Sequence, residues 1–131
     1  DDIWLRDCAP IFVTNGSEIA AVDWIFNGWG DKFKHDLDNQ LPEFIAEVTG
    51  VQRFVPNVVM EGGALEVNGA GVLLTTRQCL LEKHRNPDLS AADLERSLSD
   101  YLGVQKIFVA RGRHGERSHR WSHRYDLEVR F

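Results

Sequence analysis

Four residues have the type and setting to act on a planar cation: Trp4, Asp7, Trp29 and Glu61. Trp4 and Asp7 lie in the opening run Asp1-Asp2-Ile3-Trp4-Leu5-Arg6-Asp7-Cys8, where three carboxylates flank an indole. A carboxylate takes the forked N–H groups of a guanidinium through its two oxygens. An indole face attracts the same cation. Arg6 beside Asp7 leaves a plain structural ion pair as the competing reading. Trp29 stands with Trp24, Asn27 and Asp31 at a strand end and in the loop after it, where function concentrates; two core tryptophans and a turn are the alternative. Glu61 opens Glu61-Gly62-Gly63, offering a second carboxylate, and the glycines let backbone approach a ligand closely. Arg85-Asn86-Pro87 reads as a turn anchored by an arginine.

Cys8 and Cys79 are too few for a disulfide framework and read as reduced thiols of a cytosolic chain. No histidine stands near Cys8 in sequence, so it reads as a small buried residue rather than a nucleophile. The five histidines make no zinc pattern. His35 and His84 stand apart, and His114, His119 and His123 are unevenly spaced without a cysteine among them. There is no phosphate loop, dinucleotide glycine pattern or nucleophile elbow.

Twenty acids against 15 Lys and Arg give a net charge of −5, which argues against nucleic acid as a partner and for small cations. The exception is the basic, His-rich run at 111–124, RGRHGERSHRWSHR. No apolar run approaches the roughly 20 residues that cross a bilayer, and no signal peptide is visible. A cytoplasmic protein with no membrane partner is the expectation. The abrupt opening, with an element already under way, reads as the middle of a longer parent.

The elements that must position these residues come in two similar sets. Residues 11–13 and 19–26 read as strands around Asn15-Gly16, the strongest short hairpin signal. A polar excursion at 31–39 leads to a helix with Pro42 in its first turn, Gly50 at its stop and Leu41, Phe44, Ile45 and Val48 on one apolar face. Residues 51–55 form a short strand. The order then recurs: strand 64–67, turn at Asn68-Gly69, strand 72–76, excursion 77–88. A helix follows that Ser90 caps with Asp93 three residues on, with Leu94, Leu98 and Leu102 on its buried face, and strand 104–109 closes the set. The two Asn-Gly turns are 53 residues apart. A fixed period of this size indicates a propeller or an array, because one unit cannot bury its own apolar face. The expected organisation is α/β, with repeat one at about 7–56 and repeat two at about 57–110 inside a partial domain at 1–112, and an atypical tail at 113–131.

Taken together, Trp4-Leu5-Arg6-Asp7, Val22-Asp23-Trp24 with Phe26-Asn27-Gly28-Trp29-Gly30, and Asp36-Leu37-Asp38 resemble the agmatine deiminase and bacterial (Porphyromonas-type) peptidylarginine deiminase family. So do Glu61-Gly62-Gly63-Ala64, Leu74-Thr75-Thr76, Cys79-Leu80-Leu81 and Arg85-Asn86-Pro87. The resemblance covers residues 1 to about 112. It implies the five-bladed α/β propeller of guanidine-modifying enzymes, of which this chain holds about two ββαβ repeats. It also implies hydrolysis of a guanidinium such as agmatine to a ureido product, N-carbamoylputrescine, with release of ammonia, a step toward putrescine. A cysteine thiolate attacks the guanidinium carbon, a histidine serves as acid and base, and no metal or organic cofactor is needed. By motif match Asp7 grips the substrate, Trp4 and Trp29 line its pocket, and Glu61 binds or braces it. Homo-oligomerisation is an open possibility for the full-length parent.

Cys8 and Cys79 do not match the family's nucleophile, which belongs beyond residue 131, so the chain by itself is expected to be inactive. A second departure lies in the tail. The family carries a DGH-x-D motif soon after the strand matching Ile107-Phe108-Val109, where this chain has the basic run. Codons AGA TCA CAC CGA TGG TCA CAT CG would encode Arg117 to His123; shifted by one base they read DHTDGHI. A translated frameshift or a sequencing error across about 113–124 is the expectation, and His119 and His123 are then not the catalytic histidine. A non-catalytic guanidinium-binding module remains the rival class.

Overall fold

The structure, a computed structural model, describes Asp1 and residues 3–112 and 125–130. Asp2 and the stretch 113–124, with His114, His119 and His123, lie outside the described residues.

The first set begins with the single turn α1 (Leu5–Cys8) and the hairpin β1 (Ile11–Thr14) and β2 (Ile19–Val22). A tight turn, α2 (Gly28–Asp31), and the helix α3 (Leu41–Thr49) lead to β3 (Gln52–Phe54). The second set runs β4 (Glu66–Val67), β5 (Val72–Thr76), a short α4 (Arg77–Leu80), α5 (Ala91–Leu102) and β6 (Lys106–Gly112), and β7 (Tyr125–Arg130) follows. One sheet has the order β1-β2-β3 and the other β4-β5-β6-β7. In each, the first pair is antiparallel and the next parallel. A parallel pair needs a long crossover, supplied by α3 in one sheet and by α5 in the other. β7 pairs antiparallel with β6, Ala110 opposite Leu127.

Both hairpin loops are four residues long rather than tight two-residue turns, for one shared reason. An asparagine side chain closes each loop by accepting backbone N–H groups ahead of it. Asn15 Oδ1 accepts from Ser17 and Glu18 at 3.0 and 2.8 Å, and Asn68 Oδ1 accepts from Ala70 and Val72 at 2.8 and 3.0 Å.

The helix α5 follows its sequence signals. Ser90 and Asp93 form a reciprocal capping box, Gly103 ends the helix at φ 66°, and Leu94 and Leu98 are fully buried. The helix α3 does not present the expected face. Pro42 and Ala46 are buried, whereas Phe44 and Val48 are 60% and 69% exposed. The inward face is instead Leu41, Pro42, Ile45 and Ala46, spaced i, i+1, i+4 and i+5, which is one stripe of a 3.6-residue helix rotated from the expected one. The strand expected at 19–26 stops at Val22. Asp23 then takes Arg53 as its partner at 2.9 Å, and only Ile25 makes a further bridge, to Val59.

The core joins the two sets. Val22 and Trp24 pack in one cluster with Met60, Leu65, Leu73 and Leu94. Among the described residues no helix is long and apolar enough to cross a membrane.

Candidate functional site

Asp7 sits in α1, a turn in which the Asp7 and Cys8 N–H groups both donate to the Trp4 carbonyl. Its carboxylate is held from two directions. Oδ2 accepts from Trp29 Nε1 at 3.1 Å, and Oδ1 accepts from the Gly63 backbone N–H at 3.0 Å. Each carboxylate oxygen has two lone pairs, so each retains capacity for one more donor. The structure thus unites Asp7, Trp29 and the Glu61-Gly62-Gly63 segment from three separate stretches of sequence.

Trp29 reaches Asp7 through an unusual backbone. Gly28, Trp29, Gly30 and Asp31 have φ of 63°, 61°, 87° and 59°, so α2 is one left-handed turn. Asn27 braces it, accepting from Asp31 N at 2.8 Å through its carbonyl and from Gly30 N at 2.9 Å through Oδ1. Left-handed helical geometry costs roughly 1–2 kcal/mol for each non-glycine residue, here Trp29 and Asp31. The indole is fixed by edge-to-face contacts with Phe26 and Phe33, centroids 5.0 and 5.7 Å away.

The two glycines after Glu61 do let backbone approach closely, but what approaches is α1 of the same chain. A Cβ at Gly62 would collide with the Arg6 carbonyl, and one at Gly63 with Asp7 Oδ1. Arg6 itself does not pair with Asp7; its guanidinium donates to the Leu65 carbonyl at 3.3 Å.

Glu61 is buried, and its two oxygens differ. Oε1 accepts from Arg85 Nε at 2.7 Å and lies 2.6 Å from Arg85 Nη2. Oε2 is buried with no hydrogen-bond partner among the described residues. The next residue, Asn86, fastens the same strand-like segment by bonding both ways to Val59: Oδ1 accepts from its N–H at 2.9 Å and Nδ2 donates to its carbonyl at 2.8 Å. Arg85 and Asn86, which read as a turn in sequence, are therefore the brace of Glu61. The only signal for this was the need of a buried carboxylate for a cation.

Other candidates disperse. The Trp4 ring is 56% exposed, and Trp4 joins the network through its carbonyl. Trp24 is a core residue set edge-on to Tyr101. Asp31 is exposed. The Asp1 carboxylate accepts from Leu37 N at 2.9 Å rather than joining Asp7. Cys8 is buried, with its thiol donating to the Trp4 carbonyl at 3.4 Å. Burial, then the Asp38 and Asp7 carboxylates, push this thiol above its ordinary range, which makes it a poor nucleophile. Cys79 lines a cavity of about 510 Å³ on the second sheet, together with Gly63, Leu74 and Thr76. Among the described residues no cluster of His, Cys, Asp or Glu could hold a metal ion. The assembled groups can grip a flat cation.

A family model described as Porphyromonas-type peptidyl-arginine deiminase matches residues 1–123. The agmatine deiminase of Pseudomonas aeruginosa is 42% identical over 114 residues, covering 82% of this chain and 31% of that protein. Among solved structures, agmatine deiminase of Enterococcus faecalis superposes with a TM-score of 0.81 at 41% identity, covering 86% of this chain and 33% of that one. A substrate-bound agmatine deiminase from C. jejuni gives a TM-score of 0.77 at 30% identity, covering 86% and 34%. The chain spans about a third of the length of the relatives it matches.

Proposed function

Because the chain belongs to the Porphyromonas-type peptidyl-arginine deiminase family, we propose that it carries the substrate-gripping part of an agmatine deiminase-like hydrolase. The observation that carries this reading is the pair of carboxylates: Asp7, held by Trp29 and Gly63, and Glu61, whose buried Oε2 has no partner. A guanidinium presents several N–H donors in one plane. Asp7 takes one edge, Glu61 Oε2 takes a further N–H, and the Trp29 ring walls the site.

In the reaction the family resemblance implies, a cysteine thiolate adds to the guanidinium carbon and ammonia leaves. Water then cleaves the thiouronium to give the ureido product and restore the thiol. The carboxylates hold the nitrogens and stabilise positive charge on them. Neither Cys8, buried and hydrogen-bonded, nor Cys79, at the cavity, takes the nucleophile's part. The 131-residue chain is accordingly proposed to bind without turnover, as two ββαβ units of a five-bladed propeller occupying 1–112. Its reduced thiols suit the cytoplasm. The family's histidine motif is proposed to lie in a shifted frame across 113–124, and codons there that give DGH in no other frame would reject that part.

Purified chain is expected to take up agmatine saturably in calorimetry and to release no ammonia above blank. Absence of saturable uptake overturns the guanidinium site; turnover overturns the exclusion of both thiols. The description of the family model brings in a second ligand, a peptide-borne arginine, and the same titration ranks it against agmatine.

A further inference from the structure

We propose that the second sheet carries a binding site for a small aliphatic amine cation, in the cleft of about 510 Å³ on its face turned away from α5. The inference goes beyond the guanidinium-binding reading and uses none of Asp7, Trp29 or Glu61.

The register fixes which residues form the cleft. Leu73 of β5 is fully buried and packs in the core cluster with Leu94 of α5 and Ile107 and Val109 of β6. Successive strand side chains alternate between faces, so Leu74 and Thr76 lie on the other side. Glu66 of β4 stands opposite Leu74, and Ala110 of β6 beside Thr76. These four residues therefore share one face. Ala64, just before β4, and Cys79, just after β5, complete the wall. The volume falls within the roughly 300–1,000 Å³ of small-molecule sites.

The lining selects the ligand. Leu74, Ala64, Ala110 and the Cys79 thiol offer apolar surface. The Thr76 hydroxyl is committed to α4, where it accepts the Cys79 N–H at 3.3 Å. Glu66 is the only charged residue of the lining. It is exposed, and its carboxylate has no ion-pair or hydrogen-bond partner among the described residues. Lys106, on the same face by register, stands over the Phe108 ring at 5.4 Å rather than at Glu66. A metal ion would need several oxygen ligands, and among the described residues no such group exists. One carboxylate in an apolar cleft suits an ammonium joined to a short hydrocarbon: the acid takes the N–H groups, and the alkyl chain leaves water against Leu74 and Ala110.

Cys79 reports occupancy. Its alkylation by iodoacetamide in the folded chain is followed by mass spectrometry of its peptide, at neutral pH, where an alkylamine stays protonated, and at fixed ionic strength. The additives are n-butylammonium, ethylammonium, 1-butanol and butyrate. Butylammonium is expected to slow the reaction saturably, at about one tenth of the concentration that butanol needs. Ethylammonium should bind more weakly, by about threefold for each missing CH₂, and butyrate should leave the rate unchanged. In Glu66→Gln, a change at an exposed position, butylammonium should fall to the level of butanol. A Cys79 closed to the reagent, no saturable protection, equal protection by butanol, or protection undiminished in Glu66→Gln each overturns the proposal. Alkylation that slows with protein concentration alone would put a second copy of the chain in the cleft and overturn it as well. Agmatine is absent throughout, so the guanidinium site is judged by its own titration.

Discussion

The indole N–H of Trp29 meets Asp7 Oδ2 at 3.1 Å across 22 residues of sequence. Together with the Gly63 N–H on Oδ1, it fixes the rotation of the carboxylate about its last bond. Trp29→Phe keeps the ring between Phe26 and Phe33 and deletes only the N–H. Agmatine affinity is expected to fall by about 1 kcal/mol, the worth of one such bond. Asp7→Asn removes the charge itself and should cost about 1.5–3 kcal/mol. Calorimetry of both variants checks the order, and an Asp7→Asn chain that binds as well as wild type contradicts the site.

Gly63→Ala tests the approach of the second set to α1. The new methyl would occupy the position of Asp7 Oδ1, so Asp7 must swing off and lose the Gly63 N–H. We expect destabilisation of about 1–3 kcal/mol from overpacking, with loss of agmatine uptake. Gly50→Ala is the control: unlike Gly63 it has a positive φ, and nothing lies within 4 Å of its Cβ. It should destabilise through backbone strain alone and leave binding intact. Thermal melts and titrations separate the two.

The thiols should differ in reactivity. Cys8 is buried, hydrogen-bonded and pushed to higher pKa, whereas Cys79 opens on a cavity. Iodoacetamide under native conditions is expected to label Cys79 first, and mass spectrometry of the peptides reads the order. Cys79→Ser should abolish the fast phase; a fast phase that survives would show Cys8 to be open.

Asp23 supplies a pH dependence. Burial raises its pKa above 3.8, with the Arg53 charge acting against that rise. A carboxyl raised on folding adds stability below its unfolded pKa and loses it as pH climbs through the folded value. Ionised Asp23 is therefore a cost at neutral pH that Arg53 offsets. Arg53→Met should destabilise by about 1–2 kcal/mol at pH 7, less than a fully buried pair would show because Arg53 is a third exposed. The loss should shrink toward pH 3. Urea melts at the two values check the sign.

Much of this architecture is written in local signals. Asn15 and Asn68 mark equivalent loops because an asparagine closes a turn with its own side chain. Ser90 and Asp93 cap α5 because the groups they satisfy are three residues away. The orientation of α3 was not legible, since Leu41, Pro42, Ile45 and Ala46 make as continuous an apolar stripe as the one holding Phe44 and Val48, and tertiary packing chooses between them. The left-handed turn at Gly28–Asp31 was hidden for a related reason: glycines permit such a turn, but only contacts with Phe26, Phe33 and Asp7 keep a tryptophan in it. Asp7, Trp29 and Glu61 could be singled out by type, yet the role of Arg85 could not. Which oxygen of a carboxylate is taken is a property of the assembled site.

The shared cluster around Val22, Trp24, Leu73 and Leu94 has one more outcome. Asn57 is an exposed link between the sets, while the side chains on either side of it lock into common packing. Severing the backbone there would leave two pieces that stay associated, and genes encoding them separately should reconstitute the particle by complementation when coexpressed.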